Sequence, residues 1–132
     1  MPFDIKPDTR RYTLGLTCTC DTTPGTAVAT LGAEIMNNMD GKYGYTITIV
    51  PGGTAPTDNS DLAISDSRGL ALLTAAGNGL NLVDATSTTE EYFEGPNGDH
   101  YPLFKAAYPL TITLTNNAVN NSSFVAYIDM VE

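Results

Sequence analysis

The side chains that could do chemistry in this chain are few, and they form no recognisable catalytic pattern. His100 is the single imidazole among 132 residues and stands between Asp99 and Tyr101. A catalytic histidine needs a nucleophile and an orienting acid close to it, and no G-x-S-x-G motif supplies a nucleophilic serine. Phosphate-loop, dinucleotide and zinc motifs are also missing from the sequence. The sequence therefore predicts a protein that is not an enzyme, with no catalytic and no cofactor-binding residues.

Acidic side chains form two groups, and neither has the spacing of a known site. Asp58, Asp61 and Asp66 do not follow the 1-3-5 ligand pattern of an EF-hand loop. We expect Asp58 to cap backbone groups of its loop, with adventitious Ca²⁺ binding as the alternative. The second group lies in a polar stretch and consists of Glu90, Glu91 and Glu94. Two of these could form a glycosidase pair, but adjacent acids in a loop are more typical of a solvated face.

The two cysteines favour a structural role over metal binding. Cys18 and Cys20 are two residues apart in a predicted strand, so their side chains share one face about 7 Å apart. That distance and parallel direction do not suit a disulfide. One histidine and two cysteines also cannot complete a four-ligand zinc site. We expect two small core thiols and no metal.

The charge balance excludes a general nucleic-acid surface. Six basic residues stand against fifteen acidic ones, for a net charge of −9. Nucleic-acid affinity depends on neutralising phosphates, which this balance does not favour. Half of the basic residues fall within the first eleven positions, as Lys6, Arg10 and Arg11. A basic segment on an acidic body could dock on an acidic neighbour, while an ordinary solvated terminus is the plainer interpretation.

The first eleven residues are predicted to form an extended arm, and residues 12–132 one domain. Two prolines block regular structure in this arm, and Phe3 and Ile5 alternate like residues that pack on a partner. The candidate interface comprises arm residues and the outer face of the last strand: Phe3, Ile5, Lys6, Arg10, Arg11, Val125 and Tyr127.

Compartment and membrane signals are absent from the sequence. No apolar run approaches the roughly 18 residues needed to span a membrane. The first residues also lack the positive segment and apolar core of a secretory signal. We expect no membrane partner, and synthesis and assembly in a cytosol.

Alternation of apolar and polar residues predicts an all-β protein. The pattern is clear over residues 10–20, 45–49, 62–66, 110–115 and 123–131. The last of these segments is apolar on both faces, which is typical of a central strand or of one that meets a partner. We expect an antiparallel β-sandwich of seven to nine short strands, for which jelly-roll connections are one arrangement.

Several local features are less regular. Residues 27–40 fit both a helical and a strand pattern, and we favour a strand to about Ile35 followed by one helical turn. Asn78-Gly79 is the strongest two-residue turn signal. Residues 84–99 form a long polar loop, and residues 100–104 are predicted as a short edge strand because Pro102 excludes a central position.

Two segments resemble a group of small structural proteins of tailed bacteriophages. In that group a strand ends in a Pro-Gly turn, then a P-T-D-N-x-D element and a D-x-x-G turn follow. The matching residues are Pro51-Gly52, Pro56–Asn59 with Asp61, and Asp66–Gly69. The closing stretch, from Leu110 to the end, is similar to the last two strands of the group. Together these segments, Gly44 to Gly69 and Leu110 to the end, cover 49 of the 132 residues.

The resemblance implies a virion component, assembled in the cytoplasm of a bacterial host. Small β-sandwiches of this group include capsid decoration, or cement, proteins, commonly trimers bound to the major capsid protein. Others belong to the tail, the head–tail joint or the fibre base. A different class stays open as well. A carbohydrate- or receptor-binding module would stack sugars on exposed aromatic residues, for which Tyr92, Phe93 and Tyr101 are the candidates, although the chain has no tryptophan.

Overall fold

A computed structural model describes residues 11–20, 25–94 and 101–132. In these residues the chain forms eight strands and one short helix. Their bounds are β1 Arg11–Cys20, β2 Gly25–Thr30, α1 Ala33–Met39, β3 Tyr43–Pro51, β4 Asp61–Asp66, β5 Ala71–Leu73, β6 Thr89–Tyr92, β7 Leu110–Asn117 and β8 Ser122–Val131. Arg11, which the sequence placed in the arm, is thus the first residue of β1.

The strands form two four-stranded antiparallel sheets packed face to face. The first sheet has the order β1-β8-β3-β6, and the second has the order β2-β7-β4-β5. The neighbouring strands include the pairs β1 and β8, β2 and β7, β3 and β6, and β4 and β5. This is a long hairpin folded over on itself, which is the strand order of a jelly roll. The predicted all-β sandwich is confirmed.

The core lies between the two sheets and follows the period-two pattern of the central strands. In β7, Leu110, Ile112 and Leu114 are buried, and the threonines between them are half-buried. Strand β8 buries Phe124 and Ile128 toward the core in the same way. Its second apolar face, which carries Val125 and Tyr127, lies on the outer side of the first sheet, where Tyr127 is exposed.

The ambiguous segment over residues 27–40 divides earlier than the sequence predicted. Strand β2 ends at Thr30, and α1 begins at Ala33, so the predicted strand to Ile35 is wrong. The reason is burial, because Met36 and Met39 lie one helical turn apart and are both fully buried. The chain gains more by placing these side chains in the core than by extending β2.

The predicted turn at Asn78-Gly79 is formed, since the Leu80 N–H donates a hydrogen bond to the Gly77 carbonyl (3.1 Å), but it is not the two-residue turn of a hairpin. Neither residue adopts the positive φ that such a hairpin turn requires. Asn78 instead accepts a hydrogen bond from the Thr74 N–H (2.9 Å) and donates one to the Tyr92 carbonyl (3.0 Å). The predicted edge strand over residues 100–104 is not formed by its described part, residues 101–104, where Leu103 makes a single bridge to Tyr43. The predicted loop over residues 84–99 is wrong over Thr89–Tyr92, which form β6 beside β3.

Gly79 occupies a position where only glycine fits. Its carbonyl accepts a hydrogen bond from the Leu62 N–H of β4 (2.9 Å), and its own N–H binds the Thr74 carbonyl (2.8 Å). A Cβ at this position would meet the Leu62 carbonyl oxygen. The loop therefore packs directly against the backbone of β4.

We expect Gly79→Ala to lower the free energy of unfolding by at least about 3 kcal/mol, because the clash is with backbone that cannot move without breaking β4. Gly53→Ala is the matched control, since Gly53 is exposed with open space around its Cβ position, and it should stay within about 0.5 kcal/mol of wild type. Urea unfolding followed by circular dichroism measures both. Equal effects of the two substitutions would contradict the close approach.

Candidate interaction surfaces

The predicted interface residues of the last strand lie on the outer face of the first sheet. Val125 is half-buried, and Tyr127 is 42% exposed with its ring beside Gly15 of β1. Next to them, the Asp129 carboxylate accepts hydrogen bonds from the hydroxyls of Thr13 (2.6 Å) and Thr46 (3.0 Å). This face is flat, rich in threonine, and held by polar contacts across three strands.

The remaining predicted interface residues belong to the arm. Phe3, Ile5, Lys6 and Arg10 lie outside the described residues. The backbone of Arg11 pairs with Val131 at the end of β8, which places the start of the arm at one end of the first sheet. The candidates that the structure does describe, Val125 and Tyr127, therefore share a sheet with the root of the arm.

An apolar groove of about 460 Å³ opens between β1 and β2, and the sequence did not predict it. These two strands are the edges of their sheets within the described residues and face each other across the groove. Its walls are the inward side chains of β1 and β2 and the start of α1, including Leu14, Leu16, Cys18, Ala27, Leu31 and Ile35. Among the described residues, the core is open at this side.

The opposite long side of the sandwich is closed. The Glu94 N–H, just after β6, donates a hydrogen bond to the Leu72 carbonyl of β5 (3.1 Å), which links the two sheets. The Asn78 side chain also donates to the Tyr92 and Leu72 carbonyls across the same edge. The two long sides therefore differ, with hydrogen bonds on one and exposed apolar side chains on the other.

Strand β1, which borders the groove, lacks the features that usually protect sheet edges. From Tyr12 to Cys20, β1 carries no charged residue and no proline, and its register with β8 has no bulge. Natural edges are normally blunted by lysine, proline or a bulge, because an unprotected edge pairs with other strands. Strand β2 is equally uncharged and its Val28 is 63% exposed, although its pairing with β7 shifts between Gly25 and Thr26.

Both cysteines face this groove, as the predicted core thiols would. Cys20 is buried, while Cys18 is half-buried. Burial, together with the nearby Cys20, raises the pKa of the Cys18 thiol to about 11. Cys18 is therefore protonated at neutral pH and acts as a small apolar side chain.

Three tyrosines form a second surface at the far edge of the first sheet. The Tyr45 ring is stacked on Tyr101 with 5.7 Å between centroids, and it meets Tyr92 edge-on at 5.6 Å. Tyr92 and Tyr101 are each about half exposed. We call these three residues the tyrosine cluster. It borders two shallow cavities, one of about 420 Å³ toward Tyr43 and one of about 390 Å³ toward Glu91.

The sequence predicted two members of this cluster and missed the third. The pairing of β3 with β8 shifts between Gly44 and Thr46, so Tyr45 is an extra residue that leaves the alternation assumed for the strand. The signal was Gly44, since glycine inside a strand often marks a bulge. Phe93, which was predicted to be an exposed aromatic, is instead fully buried edge-on against Phe104.

The tyrosine cluster lies in an acidic environment. The pKa of Tyr92 is raised by the neighbouring Tyr45 phenol and by the hydrogen bond between these two phenols. Burial and the nearby Glu90 carboxylate raise it further. Glu90 itself accepts a hydrogen bond from the Thr48 hydroxyl (3.2 Å), while Glu91 accepts one from the Tyr92 N–H (2.9 Å). These acids border a hydrogen-bonding aromatic surface.

Three other acids hold turns of the second sheet. Asp61 is buried and accepts hydrogen bonds from the Asn81 N–H (2.9 Å) and the Asn116 amide. Asp58 accepts one from the Ala85 N–H (3.2 Å), so it binds the backbone of a different loop, whereas the sequence predicted that it would cap its own loop. In the described part of the chain, no three histidine, cysteine or acidic residues come together as a metal site would require. His100 lies outside that part.

Asp66 organises the turn between β4 and β5. One carboxylate oxygen accepts the N–H groups of Arg68 (2.9 Å) and Leu70 (3.1 Å), and the other binds the Arg68 guanidinium (2.6 Å). The guanidinium also lies 4.0 Å from the centroid of the Tyr108 ring. Burial acts to raise the pKa of the Asp66 carboxyl, but these hydrogen bonds outweigh it and hold the pKa below its ordinary value.

Comparison with known proteins does not assign the chain to a family. No protein-family model matches it, and no curated protein is significantly similar to it in sequence. Among the described residues, no helix is long and apolar enough to cross a membrane.

A pH-dependent stability follows from the lowered pKa of Asp66. A carboxylate whose pKa is lower when folded stabilises the protein above its unfolded pKa, and this contribution is lost as pH falls through the folded pKa. We expect Asp66→Asn to cost about 1–2 kcal/mol at about pH 6, because Arg68 is 42% exposed and partly screened.

The same substitution should cost less at about pH 3, because this pH lies below the ordinary aspartate pKa of 3.8 and the contribution shrinks as pH falls toward the lowered folded pKa. Urea unfolding at both pH values measures the difference. The exposed Glu34→Gln serves as the control and should be near neutral at both. A cost that does not change with pH would show that the charge of Asp66 contributes nothing to stability.

Proposed function

We propose that the protein is a non-enzymatic structural component of a tailed-bacteriophage virion, most specifically a capsid decoration protein that binds the outer shell. The observation that carries this proposal is the side of the sandwich that is open among the described residues, where an apolar groove lies between the edge strands β1 and β2. A protein that worked alone would expose both its core and its strand edges to aggregation. In an assembly, partners cover such a side.

The segments that resemble phage structural proteins support this proposal by their positions. They supply β4, β7 and β8, which include the central strands of both sheets. The resemblance therefore concerns the body of the fold and not a peripheral loop. The jelly roll itself occurs in viral capsid proteins and in lectins alike, so it is compatible with this function without selecting it.

The partners follow from the proposed role. The major capsid protein or another virion protein would be the binding surface, and the protein would act as a homotrimer. Attachment through several arms and faces at once gives tight binding from weak individual contacts. Val125 and Tyr127 on the outer face of β8, together with the basic side chains Lys6, Arg10 and Arg11, are the proposed contacts with the shell.

Quantitative mass spectrometry of purified particles tests this function. We expect copies in the hundreds per particle, as for a protein that covers the shell. Copy numbers from a few to a few dozen would instead indicate a tail, head–tail joining or fibre-base protein. If purified particles lack the chain, both virion assignments are wrong. In a binding assay with particles that lack it, Tyr127→Ser should weaken attachment, whereas the exposed Leu80→Ser should not.

A second function, carbohydrate or receptor binding, is favoured by the tyrosine cluster. Exposed rings of Tyr92 and Tyr101 offer stacking faces, and the bordering carboxylates offer acceptors for sugar hydroxyls. In that case the isolated chain should bind glycans. Tyr101→Ala should abolish the binding, and Tyr127→Ala on the outer face of β8 should leave it unchanged. Absence of binding on a broad glycan array, with wild-type fold intact, would eliminate this second function.

A further inference from the structure

We propose that the groove between β1 and β2 is filled by the N-terminal arm of a second copy of this chain, with Phe3 and Ile5 inserted into it. The arm would lie as an added strand along the free edge of β1. This inference concerns how copies associate and does not depend on whether the protein is part of a virion.

The groove offers both elements that strand addition requires. Along β1, the hydrogen-bonding edge away from β8 has no strand neighbour among the described residues. Inside that edge, the side chains of Leu14, Leu16 and Cys18 leave apolar space of about 460 Å³. An added strand would bind through its backbone, and its alternate side chains would enter the groove. From Leu14 to Cys20 the groove is about 20 Å long.

The first ten residues have the matching pattern. Phe3 and Ile5 are apolar and one residue apart, so in an extended strand they point to the same side. Asp4 and Lys6 alternate with them and would face solvent. Prolines at positions 2 and 7 limit the pairing segment to the residues between them, because proline cannot donate to a ladder.

Chain geometry favours a second copy over the chain's own arm. The arm continues from the Arg11 end of β1, so it must reverse direction to run beside its own strand. The turn signal in the arm is Pro7-Asp8, with Lys6 and Thr9 as the residues that would close the turn. This turn would set Ile5 beside Arg10 and Phe3 beside Tyr12. The side chains of Phe3 and Ile5 would then not reach Leu14, where the groove begins. An arm from a neighbouring copy has no such limit.

Arm exchange also has a defined symmetry. The arm and the groove are different surfaces, so the contact between two copies is head-to-tail, and such contacts form closed rings when the rotation between neighbours allows it. In a ring, every groove is filled and every arm is used. A homotrimer is an assembly of this kind.

Disulfide trapping between two different variants tests the arrangement in the full-length chain. One variant carries Ile5→Cys together with Cys18→Ser and Cys20→Ser, and the other keeps Cys18 and carries only Cys20→Ser. A mixed disulfide can then form only between copies. We trap it with an oxidant at about pH 9, because the raised pKa of Cys18 limits the thiolate at neutral pH.

We expect a cross-linked dimer on non-reducing gels with Ile5→Cys and with Phe3→Cys, and at least tenfold less with Asp4→Cys, whose side chain would face away from the groove. Light scattering supplies an independent readout. The double variant Phe3→Ser/Ile5→Ser should become monomeric, whereas Asp4→Ser/Lys6→Ser should keep the wild-type oligomer.

Three results would overturn the proposal. In the first, a chain that carries Ile5→Cys and keeps Cys18 forms the disulfide within one copy and not between copies. That result would show that the arm fills its own groove. An oligomer could persist in Phe3→Ser/Ile5→Ser without any trapped dimer, which would mean that other surfaces join the copies. A wild-type chain that is monomeric and untrapped would show that a different partner covers the groove.

Discussion

The apolar inner faces of the two sheets must be covered on every side of the sandwich. The other features of this structure depend on how completely each side is covered. The central strands β7 and β8 have neighbours on both sides, and their inward side chains are buried. On the β5–β6 side, hydrogen bonds from Glu94 and Asn78 close the gap between the sheets. On the β1–β2 side nothing comparable occurs among the described residues. The strands of each sheet are therefore fully paired with their neighbours, whereas the packing of the core stops at the β1–β2 edge. The apolar groove lies at that edge.

Most of the polar side chains near the core serve the fold. Asp61 and Asp66 satisfy backbone and side-chain donors in the turns of the second sheet, and Asp129 joins three strands through threonine hydroxyls. Within the described residues, every buried side-chain nitrogen or oxygen has a hydrogen-bond partner. Reactive sites usually need polar groups with unmet or perturbed chemistry.

The two candidate surfaces differ in chemistry and in position. The groove is apolar and bordered by an open strand edge, which suits a polypeptide segment. The tyrosine cluster lies on the other edge of the first sheet and is aromatic, acidic and rich in hydroxyl groups, which suits a small polar ligand. One chain could therefore join its copies through one side and still present the other to a different partner. Jelly rolls host many functions in this way, because function belongs to sites and not to the fold.

The sequence by itself determined the all-β class, the inward residues of β4, β7 and β8, and the structural role of the cysteines, because period-two alternation and cysteine spacing are local properties. It failed where tertiary contacts outweighed local preference. The burial of Met36 and Met39 formed a helix, and the close approach of Gly79 to β4 replaced a hairpin turn. The bulge that releases Tyr45 also depends on pairing between β3 and β8. Only the tertiary structure decided that β1 and β2 become facing edges, because the pairing that places β1 joins residues at opposite ends of the chain, such as Arg11 and Val131.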